Sequence, residues 1–224
     1  MAFEGFGPGA LSFLGDLAEH NDRAWFAENR ERYERELLGR QREFVSAIGA
    51  EFEKVDPRVQ AVPSVNRSIF RINRDTRFSR DKSPYKTHSD VLFWIGDKRK
   101  NDPCYFLRLA PTEVWAGSGQ HSMVPEQLAR LRAAIVAPSG EEFARLLGEL
   151  EAAGYRIGET GLARVPAGFA KDSPRADLLR MTVVHAIRVE PVPAEFTSEA
   201  FVGWCMERFL KTKPLVDWLV EHVG

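Results

Sequence analysis

Cysteine is scarce in this chain. Its 224 residues hold only Cys104 and Cys205, too few for a four-thiolate zinc site or an iron–sulfur cluster. Cys104 precedes Tyr105, Phe106 and Leu107, and Cys205 stands between Trp204 and Met206. Such apolar company predicts buried, reduced thiols and no disulfide. Long hydrophobic runs are missing as well, and no stretch approaches the ~18 apolar residues of a membrane span. The opening Met1-Ala2-Phe3-Glu4-Gly5 has neither a basic nor an apolar leader region. Neither end matches a lipidation signal. The expectation is a soluble, cytoplasmic protein with no membrane partner.

An excess of charge is also absent. Lys and Arg number 31 against 32 Asp and Glu, a net charge of −1, which excludes a supercharged nucleic-acid binder. Of the five histidines, no two stand as in His-Glu-x-x-His. His88-x-Asp90, with His121, is a weak metal pattern, and no metal is assigned. Gly117-Ser118-Gly119 reads as a turn ahead of a helix at Pro125. The third glycine of a dinucleotide fingerprint is missing, and no Gly-Lys-Ser/Thr follows. No Gly-x-Ser-x-Gly elbow supports a hydrolase triad.

What is present is ordinary globular material: 44% hydrophobic and 28% charged residues, with mean hydropathy −0.31. A chain of this length buries roughly 70% of its unfolded surface. The pattern predicts a helix over 8–20 and a long one from Asn21 or Asp22 to Val55. The second is striped by Phe26, Tyr33, Leu37, Phe44, Ile48 and Phe52. Its other side, Glu28 to Glu36, reads as a solvated face laced with (i, i+4) pairs. Short β-rich runs follow at Val65–Asn73, Val91–Ile95, Tyr105–Leu109 and Val114–Ala116. Helices are expected over 125–137, with Leu128, Leu131, Ile135 and Val136 inward, and over 140–153. A strand pair is expected from Tyr155 to Val165, turning near Gly158-Glu159. A short helix at Arg175–Met181 and a strand at Val183–Val189 come next. The last helix is expected to break or kink at Lys213-Pro214. Strands grouped between helices predict an α+β fold. The expected architecture is a single domain over residues 1–224, with a central antiparallel sheet packed by N-terminal and C-terminal helices.

One segment departs from this plain pattern. Asn66 to His88 reads NRSIFRINRDTRFSRDKSPYKTH, with seven cations against two carboxylates, a local +5. Arginine outnumbers lysine there, which favours planar recognition of carboxylate or phosphate. Alternation with Phe70 and Ile72 turns Arg71 away from the core, on the same face as Arg67. Ser83 is held extended by Pro84, so Pro84-Tyr85 reads as a fixed turn with Lys82 and Lys86 on its shoulders. Asp75 and Asp81 are placed to orient the arginines. His88 adjoins the block, where cations would keep its ring neutral.

The string RINRDTRFSRDKSPYKTH resembles the signature of domain-of-unknown-function family 2461, found in bacteria and fungi. The likeness extends over nearly the whole chain. It takes in Phe3-x-Gly-Phe6, Trp25-Phe26, the Gly117-x-Gly119 segment and the closing Pro214-Leu215-Val216-x-Trp218-Leu219. The family name implies no activity, so the resemblance assigns no catalytic residue. Where the family pattern often has His before Pro, this chain has Ser173-Pro174, and no imidazole is available at that place.

The leading functional reading is a site for a small phosphorylated or carboxylated ligand, with or without turnover. Arg71, Arg74, Arg77 and Lys82 would hold the anion, Asp75 and Asp81 would hold the arginines, and Tyr85, Lys86 and His88 would line the edge. Its rivals are a basic face that docks an acidic partner and a purely structural Arg–Asp network. Nucleic acid is disfavoured by the neutral total and by the lack of a recognition motif. The sequence specifies no cofactor, reaction or oligomeric state.

Overall fold

Pro8 opens the first helix, α1 (Pro8–Glu19), at a position where its missing N–H leaves no bond unmade. The computed structural model describes residues 2–158 and 161–224. Asp22 caps α2 (Arg23–Glu28), its carboxylate accepting from the N–H groups of Ala24 and Trp25. The expected long helix to Val55 is interrupted. Asn29 ends α2, a single turn α3 (Arg30–Arg32) follows, and Tyr33–Gly39 is π-helical. α4 (Arg40–Val55) then runs to Asp56. The wider π turn lets the adjacent Leu37 and Leu38 both bury. It also breaks the (i, i+4) register expected on the charged side. Arg32 instead reaches back to Asp16 at 2.6 Å and Ser12 at 2.8 Å, and Arg35 pairs with its neighbour Glu36.

The strands are β1 (Val59–Gln60), β2 (Ser89–Ile95), β3 (Cys104–Leu109), β4 (Glu113–Gln120), β5 (Arg156–Ile157) and β6 (Val184–Pro191). They form one antiparallel sheet in the order β1-β2-β3-β4-β6-β5. In β5 and β6, Arg156 faces Ile187 and Ile157 faces Ala186. The remaining helices are α5 (Pro125–Val136), α6 (Ser139–Ala152), α7 (Ala176–Leu179) and α8 (Ala200–His222). The α+β class expected from the sequence is the one observed.

The chain packs as two compact units. The first comprises the residues up to Phe93, Phe106–Trp115 and Glu190–Met206. Its core is aromatic: Phe6 stacks on Phe196 at 5.2 Å and meets Phe201 edge-on at 5.8 Å, and Phe44 lies against Phe93. Each such ring contributes about 1.5–3 kcal/mol by leaving water. A second aromatic row, Phe13, Tyr33, Phe26 and Tyr85, runs toward the surface. The second unit comprises Trp94–Tyr105, Ala116–Val189 and Glu207–Gly224. Leu131, Ile135, Leu147 and Leu219 fill its core, and Phe143 stacks on Trp218 at 4.3 Å.

Several local expectations need correction. Val65–Asn73 is not a continuous strand. Its backbone groups are spent on turns, such as Asn66 N to Ile69 O at 2.8 Å and Ser68 N to Val62 O at 3.1 Å. Isolated bridges remain, Ile69 to Val91 and Asn73 to Tyr85. Gly117-Ser118-Gly119 is not a turn but the second half of β4. A Cβ on Gly117 would stand 2.0 Å from Ala186 O, and one on Gly119 2.1 Å from Val184 O. Glycine is there because the β6 backbone passes too close for a side chain. Val136 is 54% exposed, not inward. The strand expected from Tyr155 shrinks to β5, and Glu159, named for its turn, lies outside the described residues, as does Met1. α8 continues through Pro214. Both cysteines are buried, and burial pushes the Cys104 thiol up to about 12 against the opposing pull of Arg99.

Candidate anion-binding site

Asn73 and Tyr85 pair across the neck of a loop. Arg74 N bonds Pro84 O at 2.8 Å and Lys86 N bonds Ile72 O at 2.9 Å, closing that neck. Within the loop, charges meet one another. The guanidinium of Arg74 bonds the Asp81 carboxylate and also reaches Ser79. Asp81 further accepts from Ser83 N at 2.9 Å and Ser83 Oγ at 2.6 Å. The Ser83 bonds, then Arg74, hold its carboxyl far below the usual range. Arg77 forks onto Asp75 at 3.0 and 2.7 Å, and these bonds hold Asp75 at about 2. Lys82 Nζ donates to Thr76 O at 2.9 Å. Phe78, 95% exposed, sits at the tip with Arg77 beside its ring.

Lys86 and His88 turn to a different centre, Asp90 on β2. Asp90 is only 6% exposed. Arg108 of β3 forks onto it at 2.7 and 3.2 Å, His88 Nε2 lies at 3.4 Å and Lys86 Nζ at 3.9 Å. Burial raises its carboxyl, but hydrogen bonds from His88 and Arg108 outweigh that, and it stays below its usual value. The charged group against the His88 ring is thus a carboxylate, the opposite sign to the surroundings anticipated. His121 packs on His185, ring centres 5.7 Å apart. Among the described residues no three His, Cys, Asp or Glu side chains gather as a metal set.

Arg71 goes a third way. With Arg23, Arg30 and Glu34 it rims a cleft of about 480 Å³ in the first unit. Phe26, Tyr33, Leu38, Val65, Ile72 and Tyr85 supply its apolar walls. The order follows from the chain. α2, α3 and the π segment bring Arg23, Ala27, Arg30 and Glu34 to one side at helical spacing. The turns of 64–73 bring Val65 and Arg71 opposite. Tyr85 lies flat on Phe26 with ring centres 4.1 Å apart. Burial pushes the Tyr33 phenol up to about 12, with Glu34 adding to the rise and Arg42 opposing it, so its hydroxyl keeps its proton at neutral pH. Among the described residues, Arg23, Arg30 and Arg71 make no salt bridge or hydrogen bond through their guanidinium groups. A second depression of about 420 Å³ adjoins it and shares Arg23, Asn73 and Tyr85. Arg74, Thr76 and Lys82 line that one, along with Asp22.

The nine candidate residues therefore divide. Arg71 and Tyr85 line the larger of these two depressions, and Arg74, Lys82 and Tyr85 the smaller. Asp75, Arg77 and Asp81 belong to the loop's internal pairs, and Lys86 and His88 to the Asp90 centre. Sequence reasoning missed Arg23, Arg30, Glu34 and Arg108, and named Asp90 only as part of a weak metal pattern with His88. The spacing of Arg23, Ala27, Arg30 and Glu34 around Phe26 was the available signal. Nothing local marked Arg108 as the partner of Asp90.

Fold and site together define an α+β protein with an arginine-rimmed, aromatic-walled cleft. The model of the family of conserved hypothetical proteins DUF2461 matches residues 9–218, and the chain belongs to that family. No curated protein and no solved structure matches it.

Proposed function

We propose that this protein binds a small phosphorylated or carboxylated ligand in the larger cleft, with Arg23, Arg30 and Arg71 around the anion. One observation carries the reading: among the described residues, three arginines on one cleft make no salt bridge, although Arg71 feels the charge of Asp75. Nearby Arg74 and Arg77 each have a carboxylate partner. Guanidinium groups are suited to planar, bidentate contact with phosphate or carboxylate. The volume falls in the range of small-molecule sites, and the walls combine apolar surface with a few polar groups, as such sites do. The reading is one of binding, with no chemical step assigned. For the loop between Asn73 and Tyr85, the paired charges favour a structural role.

A thermal-shift panel of phosphate, sulfate, nucleotides, sugar phosphates and organic acids tests the reading at fixed ionic strength. A ligand at a hundredfold over its Kd adds ~2.7 kcal/mol, a rise of about 5–10 °C for a chain of this size. The reading expects a saturable rise that Arg71→Ala abolishes. Equal rises in both proteins would be general salt stabilisation and would contradict it.

A further inference from the structure

We infer that the ligand of this cleft is a phosphate monoester carrying an apolar body. The inference rests on the binding reading above and adds the chemical class. Two features of the cleft carry it. The first is the division between rim and walls. The charged groups, Arg23, Arg30, Arg71 and Glu34, stand exposed, whereas the buried Tyr33, Leu38, Ile72 and Tyr85 line the cleft between them. An inorganic anion would meet only the rim and leave the apolar walls wet. An alkyl or aryl group attached to it removes that surface from water. The second feature is charge. Three guanidinium groups against one carboxylate leave a formal +2 at the rim. A phosphate monoester carries between about −1.5 and −2 at neutral pH, while a carboxylate carries one charge. The dianion matches the rim and the monoanion leaves it under-neutralised.

The test is titration calorimetry at constant ionic strength with inorganic phosphate, methyl, ethyl and butyl phosphate, and pentanoate. Each added methylene that reaches the walls is worth about fourfold in affinity. Affinity is therefore expected to climb from methyl to butyl phosphate, and butyl phosphate is expected to exceed pentanoate at least tenfold. Ala27 is exposed and lines the cleft, so Ala27→Phe fills it from outside the core. That variant is expected to flatten the chain-length series while still binding inorganic phosphate. Should Ala27→Phe fail to fold, Val65→Thr serves the same purpose by making one wall polar at constant shape. It should weaken butyl phosphate and spare inorganic phosphate. Equal binding of inorganic and butyl phosphate would overturn the apolar body and leave the anion reading standing. Equal binding of butyl phosphate and pentanoate would overturn the phosphate. Absence of binding by every anion would overturn this inference and the reading beneath it together.

Discussion

Asn21 holds Tyr85 by both of its backbone groups. Tyr85 N donates to Asn21 Oδ1 at 3.0 Å, and Asn21 Nδ2 donates to Tyr85 O at 3.0 Å. One amide side chain, sitting between α1 and α2, thereby fixes the residue that walls the cleft and closes the neck of the arginine loop. The contact spans 64 positions of sequence, and it seats Tyr85 on Phe26. Each net hydrogen bond contributes about 1 kcal/mol, so Asn21→Ala is expected to cost ~2 kcal/mol. Thermal denaturation should show a Tm lower by about 4–8 °C. A Tm within a degree of wild type would mean that the neck is held by its backbone bridges alone.

Arg74 and Arg71 stand three positions apart and are opposite in expected behaviour. Arg74 is committed to Asp81 and Ser79, so Arg74→Ala should speed proteolytic cleavage within residues 74–84 while phosphate affinity falls less than threefold. Arg71 is exposed and, among the described residues, makes no salt bridge, only a weak charge interaction with exposed Asp75, so Arg71→Ala should leave Tm within about 1 °C, as surface substitutions do. The reverse assignment of effects, read by limited proteolysis and melting, would place the anion site in the loop.

Glu34 puts a negative charge on the rim of a site read as anion-binding. Like charges at about 6 Å repel by roughly 1–3 kcal/mol at effective dielectric constants between those of water and a protein surface. Glu34→Gln is therefore expected to tighten phosphate binding about tenfold, with little change in Tm. Weaker binding in that variant would show that the carboxylate serves the ligand directly, for instance by accepting a proton from it.

Acid stability should depend on Asp90. Its carboxyl is held below the usual value in the folded protein. A group of this kind contributes stability that is present above its unfolded pKa of ~3.9 and is lost as pH falls through the lower folded value. Denaturant melts between pH 6 and pH 2 should show stability falling below about pH 4. Asp90→Asn leaves Arg108 without its partner and is expected to cost about 2–3 kcal/mol at pH 7, with a flatter acid limb. An unchanged acid limb would assign that loss to other carboxylates. Asp75 and Asp81 titrate low as well, but in exposed pairs whose contribution water screens.

How far the sequence was legible depends on the range of the interactions. α1, α5, α6 and the strands β2, β3 and β6 follow from local periodicity, so they could be read directly. The π segment could not, because Tyr33, Leu37 and Leu38 gain burial only against the rest of the first unit. Gly117 and Gly119 looked like a turn since glycine marks both turns and close approach. Only the presence of the β6 backbone at Ala186 and Val184 decides between them. The Arg-rich block was visible as an anomaly of charge. Its division was not, because the pairs Arg74–Asp81 and Arg77–Asp75 are local whereas Arg71 faces α2 and Asp90 meets Arg108 from the next strand.

The central claim is that the unpaired arginines of the larger cleft bind an anion and the paired arginines of the loop do not. Titration calorimetry of butyl phosphate against wild type, Arg71→Ala and Arg74→Ala at one ionic strength tests it most directly. The account predicts one site per chain in wild type, at least tenfold weaker in Arg71→Ala and changed less than threefold in Arg74→Ala. Equal loss in the two variants, or no saturable binding in wild type, would contradict it.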